Sequence, residues 1–130
     1  MKALIIDEPW ISLILEGKKT WEMRKTGCKI RGRIALIRKG SGQVVGTADV
    51  VDSRPTISSR EDYAAAERFH CIPAERQQRA FEGGWKVPWV LSKIRPLPKA
   101  VRYSHPSGAV IWVDLKPDVI NQIDAQIPNA

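Results

Sequence analysis

Hydrophobic positions along the chain change period several times, and each change marks an element. Leu4-Ile5-Ile6 is a short continuous apolar run and predicts a buried strand. Trp10, Ile11, Leu13, Ile14 and Leu15 then cover a broad helical face. Pro9 suits the first position of that helix and Gly17 the residue just past its end. Over residues 20–25 the period drops to two: Trp21 and Met23 take one side of a strand, Thr20, Glu22 and Arg24 the other. Residues 33–38 enclose the run Ile34-Ala35-Leu36-Ile37, and Gly40-Ser41-Gly42 turns it into a second strand over 43–51, which together predict a hairpin.

Two helices follow. Ser58 or Ser59 caps one over about 60–69, with Glu61 and Asp62 in its first turn, and Pro73 starts another through about 81, closed by Gly83-Gly84. Residues 87–94 and 109–115 read as closing strands, with Pro96 and Pro98 keeping the stretch between them irregular. After a domain over 1–117, the tail 118–130 carries Val119, Ile120, Ile123 and Ile127 at partly helical spacing and either packs as a helix or frays. Short strands with helices inserted between them predict an α+β fold around a small, strongly bent sheet or barrel.

At 130 residues the chain is sized for one core, and 43% hydrophobic with 27% charged residues excludes disorder. No apolar run approaches the roughly 20 residues that cross a bilayer, and the first residues read as a strand, not a signal peptide. A cytoplasmic monomer away from membranes is the expectation. Cys28 and Cys71 make no disulfide framework, and with His70 and His105 they form no zinc-type spacing, so neither metal nor cofactor is expected.

Charge changes the picture more. The chain carries a net +7, yet residues 17–39 alone hold nine Lys and Arg against one Glu, a net of +8. A basic segment this concentrated points to a polyanionic partner. Lys18, Lys19, Glu22 and Arg24 lie within it, where a helix ends and a strand begins. They form either an anion or nucleotide site, with Arg24 as a planar fork and a lysine as a point charge, or a solvated ion cluster at a helix end. Trp85 and Trp89, flanking Lys86 and Pro88, are core staples or stacking platforms for a base. Tyr103, His105 and Ser107 share a polar loop that shapes a pocket wall; its Ser and His lack the carboxylate and elbow of a hydrolase triad.

Gly17-Lys18-Lys19-Thr20-Trp21-Glu22-Met23-Arg24 resembles the Gly-x-Lys-x-x-Glu-x-Arg signature of ASCH domains, members of the PUA-like superfamily, and the chain is similar to small bacterial stand-alone members. The likeness extends back to the Pro9-Trp10 helix and forward to residues 108–113. It implies a small β-barrel of about five to six strands with flanking helices, a cleft lined by the signature, and a role in binding RNA or another nucleic acid. Some small bacterial relatives are amidohydrolases that deacylate the exocyclic nitrogen of cytidine; others are proposed ribonucleases. The amidohydrolases place a lysine at the position of Lys19, a threonine where this chain has Glu22, and a carboxylate from a later segment, for which Glu61, Glu67, Glu75 and Glu82 are candidates. Glu22 in place of a threonine is expected to hold Lys19 as an ammonium, whereas a general base must be neutral.

The resulting expectation is a domain that binds RNA or single-stranded nucleic acid, a modified nucleoside included, in a basic cleft. Its contacts would be Lys18, Lys19, Arg24, Lys25, Arg31, Arg33 and Lys86, with Trp85, Trp89, Tyr103, His105 and Ser107 around the base. In the rival reading Lys19, Glu22 and Arg24 are catalytic in an amidohydrolase or ribonuclease. A third class, a protein-interaction module, would use the apolar tail at Ile120 and Ile123.

Overall fold

The computed structural model of the chain describes residues 1–127. In chain order the elements are β1 (Lys2–Ile6), α1 (Trp10–Leu15), β2 (Trp21–Arg24), β3 (Gly32–Arg38), β4 (Gln43–Ser53), α2 (Arg60–Ala65), α3 (Glu67–His70), α4 (Ala74–Glu82), β5 (Val87–Arg102), β6 (Trp112–Asp114) and α5 (Pro117–Gln126). One six-stranded sheet runs in the order β2-β5-β4-β3-β1-β6 and curls into a half-barrel, giving the expected α+β class. Its strands are antiparallel except for the β1–β3 pair, whose crossover contains α1 and β2.

The bend comes from the long strands. β4 and β5 pair with three shifts of register, at Val44/Gly46, Thr47/Asp49 and Val50/Asp52, and each irregularity lets a strand turn without losing its partner. At Gly46 the curl brings α1 against the sheet: a Cβ there would lie 2.7 Å from Leu15 Cδ2 and 3.0 Å from the Arg95 carbonyl oxygen. One face of the sheet holds Leu4, Ile6, Ile34 and Leu36 against Ile11 and Ile14 of α1. The other holds Ala3, Ile5, Ala35, Ile37 and Val113 against Val119 and Ile123 of α5. A smaller cluster of Met23, Tyr63 and Ile72 fastens α2–α4 to β2.

Three expectations need correction, and one open alternative is decided. The helix over 60–69 is broken at Ala66 into α2 and α3. β5 continues through Pro96 and Pro98 to Arg102. Its pairing with β2 ends near Leu91, leaving one side unpaired, and a proline on such a side removes no ladder bond. The last strand is only Trp112–Asp114, because Val110 and Ile111 turn outward, 75% and 45% exposed. The tail packs as α5, the first of its two alternatives, with Ile123 fully buried and Ile120 half-buried against the same cluster; residues 128–130 of that tail lie outside the described residues.

Candidate functional site

α1 ends at Gly17, whose φ of +80° is the left-handed conformation that glycine adopts without strain. Lys18 and Lys19 both donate their backbone N–H to the Leu13 carbonyl, at 3.0 and 3.1 Å. The chain thereby folds back over the helix end and carries the Lys19 side chain inward. Its ammonium is 1% exposed, donates to the His70 carbonyl at 2.7 Å, and lies 3.7 Å from Glu22 Oε1 and 5.2 Å from the centroid of the Trp10 ring.

The period-two pattern of β2 puts Glu22 and Arg24 together. Arg24 donates through Nε and Nη2 to Glu22 Oε2 at 3.0 and 2.8 Å, and Nη2 also reaches the Ile5 carbonyl at 2.9 Å. Its guanidinium sits 5.5 Å from the Trp89 ring. Glu22 is 5% exposed, and the two-pronged pair offsets the cost of burying its charge. Both faces of β2 are therefore covered, not the one that alternation suggests.

Burial holds the Lys19 pKa below its ordinary 10.5, and this outweighs the opposing pull of Glu22. Glu22 acts in the expected direction, favouring the ammonium, but burial sets the net shift. His70 supplies the carbonyl that Lys19 meets, and its own ring is locked: Nε2 donates to the Tyr63 carbonyl at 2.7 Å while Nδ1 accepts from Ile72 N–H at 2.9 Å. That pattern is the neutral tautomer, and burial pushes the His70 pKa down from 6.5. The Tyr63 hydroxyl, driven up to about 12 by burial, donates to the Trp85 carbonyl at 2.8 Å.

Lys19, Glu22 and Arg24 floor a cleft of about 1030 Å³. Ile5, Lys19, Glu22, Met23 and Arg24 contribute from the sheet side, and Glu75, Arg76, Arg79 and Ala80 from α4. Asp7, Trp10, Lys25, Thr26, Lys39, Ile72, Trp85, Trp89, Val110 and Ile111 complete the lining. Of the residues singled out from sequence, Lys19, Glu22, Arg24, Lys25, Trp85 and Trp89 meet here. Trp85 is 41% exposed, with the Lys25 ammonium 4.9 Å from its ring. Trp89 is 4% exposed, donates Nε1–H to the Thr26 carbonyl and stacks on Trp112, so it is chiefly a core staple.

The rest lie elsewhere. Lys18 pairs with Glu16, Arg31 donates to the Cys28 and Ile30 carbonyls, and Arg33 bridges to Asp124 of α5 at 2.6 Å. Lys86 covers Phe81. Tyr103 O–H donates to His105 Nδ1, and His105 Nε2–H to the Ala109 carbonyl, a latch that closes the loop on itself; Ser107 is exposed within it and does not line the cleft. Sequence reasoning missed Asp7, Trp10, Arg76 and Arg79. The two arginines carried a signal, since three-residue spacing puts both on one face of α4.

The described helices include none long and apolar enough to cross a membrane. Solved structures share the fold. The ASCH protein from Zymomonas mobilis gives a TM-score of 0.70 at 15% identity, covering 95% of this chain and 93% of that one. A serine-to-alanine variant of it gives 0.69 at 14%, with 95% and 94% covered, and a tyrosine-to-phenylalanine variant 0.70 at 15%, with 95% and 96% covered. No curated protein matches the chain. The ASCH domain family matches residues 4–99.

Proposed function

Because the chain belongs to the ASCH domain family, we propose that its cleft binds RNA or other single-stranded nucleic acid, taking a base at the floor and phosphates at the rim. One observation carries the reading: six basic side chains from three segments (Lys19, Arg24 and Lys25; Lys39; Arg76 and Arg79) converge on a cleft that also holds Trp10 and Trp85. Rim cations neutralise backbone phosphates, and an aromatic face accepts any base. At the floor, Glu22 Oε1 accepts no hydrogen bond within 3.5 Å and Arg24 Nη1 donates none among the described residues. Together they offer one acceptor and one donor to a base edge.

Binding of a single-stranded RNA oligomer, measured across a salt series, tests this. A log–log slope of about −2 to −4 is expected if three to five phosphates are neutralised. Arg76→Glu with Arg79→Glu should flatten the slope. A salt-independent affinity, or none at low salt, overturns the proposal.

A hydrolase at the same cleft is the second reading. It is favoured by the burial that biases Lys19 toward the neutral amine, and by Glu75, the one later glutamate among the four candidates that lines the cleft. Neutral Lys19 would take a proton from water, and Arg24 would stabilise the developing oxyanion.

A further inference from the structure

Trp21 and Glu22 leave β2 on opposite faces, and on the Trp21 face four side chains form a ladder of cations and rings. The Arg54 guanidinium lies 5.0 Å from the Trp21 ring centroid, Trp21 stacks on Phe69 at 4.5 Å and 17°, and the Arg68 guanidinium lies 4.6 Å from the Phe69 ring. Three segments build it: β2, the loop after β4, and α3. Both arginines are exposed. Among the described residues neither guanidinium has an ion pair or a side-chain hydrogen bond, although Asp52 and Glu67 are close in sequence. Glu67 instead accepts from Gln77.

A guanidinium resting on a ring has its plane fixed while its N–H edge stays free, the geometry that receives a phosphate with two parallel hydrogen bonds. Its outer face remains a flat cationic surface on which an unpaired base stacks. We infer that the Arg54–Trp21–Phe69–Arg68 ladder is a second contact for single-stranded nucleic acid, holding phosphates on the two arginine edges and a base on an outer guanidinium face. The inference rests on the cleft reading for the identity of its ligand. β2 is the terminal strand of the sheet, so a nucleic acid held by Glu22 and Arg24 on one face is one strand's width from Trp21 on the other.

Length dependence separates the two sites. A tetranucleotide and a dodecanucleotide of RNA are titrated against wild type, Arg54→Ala/Arg68→Ala, Arg54→Lys/Arg68→Lys and Arg76→Ala/Arg79→Ala, with a thermal melt confirming that each variant folds. The ladder alanines should leave the tetramer unchanged, weaken the dodecamer about tenfold, and reduce its salt slope by about 1 to 1.5, the share of two single-strand phosphates. The lysine pair should restore the slope but not the affinity, because lysine keeps charge and loses the planar fork. Dodecamer binding unaltered by the ladder alanines but weakened by the Arg76/Arg79 pair overturns the ladder and keeps the cleft. The reverse pattern overturns the cleft and keeps the ladder. Ladder-dependent binding of a polyglutamate peptide as tight as that of RNA also overturns the inference, since the surface would then take any polyanion.

Discussion

The Lys19 ammonium lies 2.7 Å from the His70 carbonyl oxygen and 3.7 Å from the nearer Glu22 oxygen, so its tightest polar contact is uncharged. A carbonyl stabilises an ammonium less than a carboxylate does, and burial then depresses the pKa. The folded chain releases this proton at lower pH than the unfolded chain. Between the depressed value and 10.5 the unfolded state binds more protons, and stability rises with pH. Urea unfolding of wild type and Lys19→Met should therefore show wild type gaining on the variant as pH rises toward 10.5. A difference that stays constant across that window would contradict the assignment.

Arg24 is the partner that makes a buried Glu22 tolerable. Arg24→Ala should destabilise the fold by about 3–5 kcal/mol, because it strands a carboxylate and leaves the Ile5 carbonyl without its donor. Adding Glu22→Gln should recover part of the loss, and the double-mutant cycle in urea measures how much.

The tryptophans of the cleft should divide by role. Trp85→Ala should cost about 1–3 kcal/mol of binding for a single-stranded oligomer and leave the melting temperature nearly unchanged. Trp89→Ala should do the opposite and lower stability by about 3–5 kcal/mol, since its ring is packed and its N–H is bonded. Equal effects of the two would remove the distinction between platform and staple.

Turnover decides the second functional reading. Purified protein is incubated with N4-acetylcytidine and, separately, with single-stranded RNA, and deacylation and cleavage are followed. Activity lost in both Lys19→Ala and Glu75→Gln would establish a hydrolase at the cleft. Oligonucleotide binding with neither reaction would leave Lys19 as a ligand contact.

What could be read in the sequence follows from what each pattern encodes. Alternation in β2 correctly set Glu22 and Arg24 on the face opposite Trp21 and Met23, since the period of a strand is local. It could not show that Glu22 is buried, because that depends on what covers the face, here the Arg24 pair and the cleft floor. The net charge of residues 17–39 marked the basic region but spread it over Arg31 and Arg33, whose partners are the Cys28 carbonyl and Asp124. Arg76 and Arg79 stand more than 50 positions after Lys19 and reach it only through tertiary packing. The prolines in β5 misled because their cost depends on whether a neighbouring strand is present, and β2 is only four residues long.

The route of the chain around the cleft has a bearing on how such a pocket could be rebuilt. Residues 54–86 depart after Ser53 and come back beside it, since Ser53 pairs with Trp89 across β4 and β5. This excursion brings Glu75, Arg76, Arg79 and Trp85, whereas Lys19, Glu22, Arg24 and Lys39 belong to the rest of the fold. The pocket is thus bipartite: a hearth built on the sheet and a wall carried by the excursion, fastened to β2 through Met23, Tyr63 and Ile72. A transplant of 54–86 would swap the ligand preference of one half while cutting no rung of the sheet. It must deliver backbone carbonyls to Lys19 and to Thr20 N–H, where His70 and Phe69 now supply them, and an apolar partner for Met23.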